Sequence, residues 1–344
     1  MCRSFLFTVE KKRFLNYIHQ FRGLAILLIV IIHCFGIFNW DQFPNGWFIV
    51  NAIIGRGTLL FVFIAGFLFE YLSYKYNYSV YLSKKARYVI LPYIVCSLPI
   101  LFYRVIFQDI PPRVIIAFPE IVDYSGISQA FYYLFTGTHL LPYWFIPMIA
   151  CFYIISPLFH WLIKKKVVLI PTILFTTISL IFTRVETTDI VGNLIHYLGV
   201  FWIGAVTCMK RDEIFNFTKK NPFLPWMTFI VLLITSITIK IWTEQQFFLQ
   251  KLALSWLLLF ILYRNKNEMP VLNILADLSF GIYFIHFYFI LATKPIVLKY
   301  APASPVLLTL YSLTYFGLIV LLSGLATKLV KIPFKGYSRM LVGS

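Results

Sequence analysis

The chain has 344 residues, of which 60% are hydrophobic and only 12% are charged, and this balance excludes an ordinary soluble globular protein. The formal net charge of +17 comes from basic residues that cluster between apolar runs, which favours loops facing anionic lipid rather than a nucleic-acid-binding protein. The apolar runs reach the roughly 20 residues that a helix needs to cross a hydrocarbon core of about 30 Å, so we predict an all-α, polytopic transmembrane helix bundle.

Ten membrane-spanning helices are predicted from the apolar runs. They lie at about residues 21–38, 47–72, 86–107, 141–163, 167–184, 192–209, 223–242, 247–263, 271–293 and 305–330. With a cytoplasmic N-terminus, 22 of the 30 Lys and Arg residues fall in inner segments, as the positive-inside rule requires. An even number of spans also makes the C-terminus cytoplasmic. No shift in composition marks a second domain, so residues 1–344 are interpreted as one integral-membrane domain.

The first predicted helix carries two ionisable residues, Arg22 near its start and His33 deep in the apolar run. Their separation corresponds to a rise of about 16 Å and a rotation about 20° past three full turns, so both side chains are predicted to share one face. The guanidinium is placed to bind a phosphate-bearing molecule at the inner surface. An imidazole in hydrocarbon favours a functional site, and the alternative is a neutral histidine that hydrogen-bonds to another helix.

Two further predicted helices carry polar residues at membrane depth. Arg56, in the outer half of the second helix, suits an acidic acceptor or a lipid phosphate, or else extends its apolar stem to the outer interface. In the ninth helix, Ser279, Tyr283 and His286 are spaced i, i+4 and i+7, and they share a stripe about 60° wide. Such a stripe must face the bundle interior or a wet cavity, either as a site or as hydrogen bonds between helices.

Five stretches of the chain contain short motifs. "YIHQFRGLAILLIVIIH" has an arginine, ten further residues and then a histidine, and "RGTLLFVFIAGFLF" is a Phe-rich run. "KKARYVILPYI" is a basic motif before Pro-Tyr, and "YWFIPMIACFYIISPL" is a helix that opens on Trp-Phe. "LSFGIYFIH" ends in Tyr-x-x-His. In this order, the five stretches resemble the acyltransferase-3 family of integral-membrane O-acyltransferases.

The resemblance implies transfer of an acyl group, usually acetyl from cytoplasmic acetyl-CoA, to a hydroxyl of a cell-surface or lipid-linked glycan in the plasma (bacterial inner) membrane. It implies His33 as general base or as transient acyl carrier. The substrate-binding residues it implies are Arg22, Lys84, Lys85 and Arg87 for the donor, and Arg56, Trp144, Tyr283 and His286 for the acceptor or the oxyanion. The implied partners are acyl-CoA, the glycan acceptor and membrane lipids. The five cysteines lack metal-ligand spacing, and no metal is predicted.

Two other functions fit a many-span chain. A transporter or flippase for a lipid-linked sugar or small anion would use His33 and Arg56 as pathway residues, and inverted repeats or paired broken helices would favour it. The sequence shows neither signal. A polysaccharide polymerase is the third interpretation, but it would more naturally carry a larger outer loop rich in Arg and His.

Overall fold

The computed structural model describes residues 14–183, 188–239, 243–265, 267 and 269–344. Every regular element in those ranges is a helix, which confirms the all-α bundle. The α-helices are α1 (Asn16–Phe35), α2 (Pro44–Ile54), α3 (Thr58–Leu72), α4 (Tyr78–Lys85), α5 (Leu91–Phe107), α6 (Pro112–Ala117), α7 (Gly126–Thr136), α8 (Phe145–Ile154), α9 (Ser156–Lys164), α10 (Leu169–Ile181), α11 (Ile190–Met209), α12 (Arg211–Lys220), α13 (Leu224–Thr238), α14 (Thr243–Arg264), α15 (Pro270–Lys299), α16 (Pro305–Phe334) and α17 (Ser338–Leu341). Short 3₁₀ segments and one π-helical segment, Ala86–Ile90, join several of them.

Each of the ten predicted spans coincides with a helical segment. Seven helical runs in the described part of the chain are long and apolar enough to cross a membrane. Two further runs are bent, by 64° between α7 and the segment Leu141–Ile154 and by 88° between α12 and α13, and α10 is a shorter apolar helix. The structure therefore supports a multi-pass membrane protein. The number of crossings and the side on which the termini lie stay predictions.

Helices α1 and α15 are parallel neighbours. Arg22 contacts Ala276, and His33 contacts His286. The second contact lies further towards the C-terminal end of both helices, so the two helices run in the same direction. Gly23 allows this close approach, because a Cβ atom there would lie 2.5 Å from the carbonyl oxygen of Leu272. The face of α1 that carries its two ionisable residues is consequently the face that packs on α15.

Two glycines allow α3 and α11 to cross closely at the centre of the bundle. A Cβ atom on Gly66 would collide with the backbone carbonyl of Phe201, and one on Gly204 would collide with that of Phe63. Helices in a membrane associate mainly through close packing, so small residues at the crossing stabilise the pair. The Phe-rich run of the sequence therefore forms one wall of the core.

Substituting Gly66 by alanine is expected to destabilise the protein by about 1–3 kcal/mol, because the added methyl overlaps backbone atoms that cannot move independently. Thermal unfolding of the detergent-purified protein would show this as a lower midpoint. The matched control is Gly317→Ala in α16, where a Cβ atom meets nothing within 4 Å. That control should be neutral or slightly stabilising, because alanine is the better helix former. Equal midpoints for both variants would contradict the packing described here.

The second predicted span is not one continuous helix. Residues 55–57 interrupt it between α2 and α3, and Arg56 within the break has a φ of 58°. Backbone of this kind is tolerated at membrane depth only where protein or a cavity satisfies it. The break therefore requires partners for the carbonyl groups at the end of α2.

Helix α14 supplies those partners. The ammonium group of Lys251 donates to the carbonyl oxygens of Ala52 and Ile53 at 3.0 and 2.8 Å, and the amide of Gln250 donates to Ala52 at 3.1 Å. Lys251 is fully buried, and a cation at a helix C-terminus is stabilised by the helix dipole. These contacts satisfy the carbonyl groups at the C-terminal end of α2, and they hold the backbone that precedes Arg56.

Candidate active site

Two histidines from α1 and α15 meet inside the bundle. His33 Nδ1 lies 3.0 Å from His286 Nε2, and the two rings stack with their planes 19° apart. His286 is fully buried, and Phe287 contacts the His33 ring edge-on. The pair joins the first and the last of the motifs that were recognised in the sequence.

The hydrogen bonds around this pair assign its tautomers. His286 Nδ1 lies 2.9 Å from the carbonyl oxygen of Ile282, and a carbonyl only accepts, so Nδ1 carries the proton. In a neutral ring, His286 Nε2 is then unprotonated and accepts a hydrogen bond from His33 Nδ1. Neutral His33 consequently has its basic lone pair on Nε2. This arrangement suits a proton acceptor.

His33 lines a partly open cavity of about 160 Å³ within the bundle. The cavity is lined by Ile29, Ile32, His33, Asn51, Arg56, Gly57, Thr58, Leu141, Pro142, Trp144, Phe145 and Tyr283. A dry cavity of about 150 Å³ holds a molecule of the size of benzene, so this one has room for an acyl group or part of one sugar ring. Four of the predicted site residues therefore line one space, and His286 lies behind His33.

Tyr283 lines the cavity, and its hydroxyl is hydrogen-bonded within the protein. Its hydroxyl donates to the carbonyl oxygen of Pro142 at 2.5 Å, so its single proton is already used. That bond holds the 3₁₀ segment Leu141–Trp144 against α15. Trp144 in turn stacks on Tyr197 with a ring distance of 6.1 Å. Tyr283 and Trp144 thus line the cavity with side chains that contacts to other segments hold in place.

Arg56 is paired with an acidic residue that the sequence did not connect to it. Its guanidinium hydrogen-bonds to both carboxylate oxygens of Glu244 in the first turn of α14. A further bond runs from Nη1 to the side-chain oxygen of Asn51 at 3.1 Å, and the guanidinium lies 4.8 Å above the Phe247 ring. The signal for this pairing was physical: an arginine at membrane depth needs a counter-ion, and Glu244 is one of few acids at a span end.

Arg22 lies on α1 below His33 and contacts the same neighbouring helix. Its Nη2 atom donates to the carbonyl oxygen of Ala276 at 2.6 Å. The next residue, Asp277, lies 3.3 Å from the Nε2 atom of His19. Ala276 and His286 are separated by about 15 Å along α15, so the two α1 residues face one helix at two depths, as the sequence predicted.

The basic motif spans the end of α4 and the π-helical segment that follows. Lys84 and Arg87 are exposed, whereas Lys85 is partly buried with its ammonium 4.6 Å from the Tyr153 ring. Arg87 Nε contacts the sulfur of Met340 at 3.3 Å. The motif therefore packs against the C-terminal segment, a contact that no sequence pattern indicated.

In the part of the chain that the structure describes, no group of three or more His, Cys, Asp or Glu side chains could hold a metal ion. The groups that converge on the cavity are an imidazole pair, an ion-paired guanidinium and aromatic rings. They offer proton transfer and binding of a polar substrate.

These features define a class: a multi-pass membrane protein in which a histidine pair joins two helices inside the bundle and one member, His33, lines a cavity. The sequence profile of the acyltransferase-3 family, described as an acyltransferase domain, matches residues 15–328, and the chain belongs to this family. No curated protein and no solved structure matches the chain. Family membership confirms the resemblance that was drawn from the motifs, and it makes the protein a membrane acyltransferase.

Proposed function

We propose that the protein transfers an acyl group, acetyl from cytoplasmic acetyl-CoA, to a hydroxyl of a cell-surface or lipid-linked glycan. The observation that carries the proposal is the hydrogen-bond chain from the Ile282 carbonyl through His286 to His33, which makes Nε2 the basic nitrogen of a histidine that lines the cavity. A hydroxyl is a weak nucleophile until a base accepts its proton, and a neutral imidazole suits that task.

In the direct route, His33 Nε2 accepts the hydroxyl proton while the hydroxyl oxygen attacks the thioester carbonyl. A carbon–oxygen bond forms, the carbon–sulfur bond breaks, and the proton passes from the imidazolium to the leaving CoA thiolate. His286 supports this step because its Nε2 accepts from His33 Nδ1, and that hydrogen bond strengthens when His33 is charged. General-base assistance of this kind contributes about 10²–10⁴-fold.

A second route uses His33 as a nucleophile. Its Nε2 would attack the thioester first, forming a carbon–nitrogen bond and releasing CoA as the thiolate. The glycan hydroxyl would then attack the acyl-imidazole, the carbon–nitrogen bond would break, and the hydroxyl proton would pass to the CoA thiolate, which leaves His33 neutral again. Both routes need the same tautomer. Brief incubation of the purified protein with labelled acetyl-CoA and no acceptor separates them, because only the second route leaves label on His33.

The donor is proposed to enter from the cytoplasmic end. With the predicted orientation, four cations lie near that end, and guanidinium and ammonium groups bind phosphate well; they are Arg22, Lys84, Lys85 and Arg87. CoA carries its phosphates at one end and its thioester at the other. With the phosphates held near Arg22, the thioester would point along α1 towards His33.

Removing the Arg22 charge is expected to weaken donor use more than acceptor use. The apparent KM for acetyl-CoA of an Arg22→Ala variant should rise about tenfold, which is the effect of losing one charge-assisted contact, while the KM for the acceptor should change little. Arg22→Lys is the matched control, because it keeps the charge. Unchanged saturation by acetyl-CoA in the alanine variant would contradict the donor assignment.

The function itself is tested by comparing glycans from cells with and without the protein by mass spectrometry. We expect the glycans to lose the mass of one acyl group at each modified site when the protein is absent. An identical glycan profile in both cell lines would overturn the proposal.

Transport is the second candidate, because the broken α2–α3 helix at membrane depth is a feature that transporters also have. Family membership favours acyl transfer. Proteoliposomes distinguish the two functions: movement of an unmodified lipid-linked sugar without acetyl-CoA would support transport, whereas covalent acylation that depends on acetyl-CoA supports the transferase.

A further inference from the structure

The C-terminal segment, residues 338–344, packs against the basic motif that contains Lys84, Lys85 and Arg87. Helix α17 contacts α5 and the π-helical segment. Arg87 contacts Met340, the backbone amide of Gly281 donates to the Ser344 hydroxyl at 2.8 Å, and Val342 is buried. These contacts fix the segment against the π-helical segment and α15. The segment itself lies beyond residue 328, where the family match ends.

The C-terminal segment adds Arg339 to the cations that are proposed to bind the donor. The guanidinium of Arg339 is exposed and lies 4.6 Å above the Tyr88 ring. The next residue, Met340, contacts Arg87 of the basic motif at 3.3 Å, so Arg339 lies beside that motif. Its charge acts on those of Arg22 and Lys85. The charge of Arg339 therefore repels those of Arg22 and Lys85, which is unfavourable unless an anion binds near them.

The hydrogen-bonding capacity of this cluster is not fully used. Arg22 Nε is buried and has no hydrogen-bond partner among the residues that the structure describes. The carboxylate that interacts with Arg22 is that of Asp277, which also pairs with His19. A buried donor without a partner is unfavourable, so it points to a ligand with acceptor oxygens.

We propose that α17 completes the donor site and that Arg339, together with Arg22 and Lys85, binds the phosphate groups of CoA. This inference rests on the proposed function. Guanidinium groups suit the task because their planar donors match two phosphate oxygens at once. The ring of Tyr88 holds the Arg339 guanidinium from one side and leaves its donors available.

The test measures binding of CoA and of 3′,5′-ADP to the purified full-length protein in neutral-lipid nanodiscs by calorimetry. Arg339→Ala should raise both dissociation constants about tenfold, the effect of one charge-assisted hydrogen bond. In turnover assays the same variant should raise the KM for acetyl-CoA and leave kcat nearly unchanged. The CoA dissociation constant of Arg339→Lys should lie between those of the unmodified protein and Arg339→Ala.

The matched control is Lys328→Ala, which removes one positive charge from an exposed position on α16. It should bind CoA as the unmodified protein does. Equal CoA affinities for Arg339→Ala and the control would overturn the inference and leave the proposed function intact. Failure of the unmodified protein to bind CoA would overturn both.

A lipid headgroup phosphate offers the same chemistry as CoA, so the measurement is repeated in anionic-lipid nanodiscs. If Arg339 binds CoA, the tenfold defect appears in neutral lipid and persists in anionic lipid. A defect that appears only in anionic lipid would assign the site to a headgroup and overturn the inference.

Discussion

Substitution of His33 by alanine is expected to lower the rate of acyl transfer by about 10²–10⁴-fold, because the cavity loses the nitrogen that accepts the hydroxyl proton. Membranes containing the variant would be supplied with labelled acetyl-CoA, and incorporation into the glycan would be measured. The variant should still fold, because the alanine removes one side of a hydrogen bond and leaves the α1–α15 contact at Gly23 in place.

The control for this experiment is another buried histidine outside the cavity. His196→Ala in α11 removes an intramembrane imidazole whose Nδ1 lies 3.2 Å from the carbonyl oxygen of Phe182. It should retain most of the activity. Transfer by His33→Ala at the rate of the unmodified protein would remove His33 from the reaction in either route.

Substitution of His286 by methionine is expected to lower the transfer rate by about 10²-fold or more, because His33 then loses the acceptor that sets its tautomer and orientation. His286→Gln keeps a side-chain oxygen that accepts a hydrogen bond, so it should retain more activity than the methionine variant. Both variants would be assayed at saturating acetyl-CoA, so that the comparison reports kcat.

A double variant shows whether His286 acts through His33. Residues that work as one unit have non-additive effects, so His33→Ala with His286→Met should be no slower than His33→Ala alone. If the losses of transfer rate in the two single variants multiply in the double variant, His286 contributes independently of His33. The hypothesis that His286 acts by orienting His33 would then be wrong.

Helical periodicity predicted the part of the site that lies within single helices. Arg22 and His33 share a face of α1, and Tyr283 and His286 lie on the buried side of α15. A repeat of 3.6 residues fixes such relations without any tertiary information. The stripe on α15 also had to face the interior, because polar groups in lipid are costly.

The parts that the sequence did not predict depend on contacts between distant segments. Hydropathy averaged over the second span does not separate it into two helices, although the break falls on Gly55, Arg56 and Gly57, and glycine often interrupts a helix. The partner of Arg56 is 188 residues away, and the carbonyl that accepts from Tyr283 is 141 residues away. Periodicity carries no information about which helices become neighbours, so these pairings required the structure.

The contact between Lys251 and the end of α2 has a consequence for biosynthesis. The two partners are 199 residues apart, so the carbonyls of Ala52 and Ile53 are synthesised long before the ammonium that satisfies them. Until α14 leaves the ribosome and enters the bilayer, those groups need water or the insertion machinery as a partner. A nascent chain released before residue 251 should therefore be recognised as unfinished by membrane quality control.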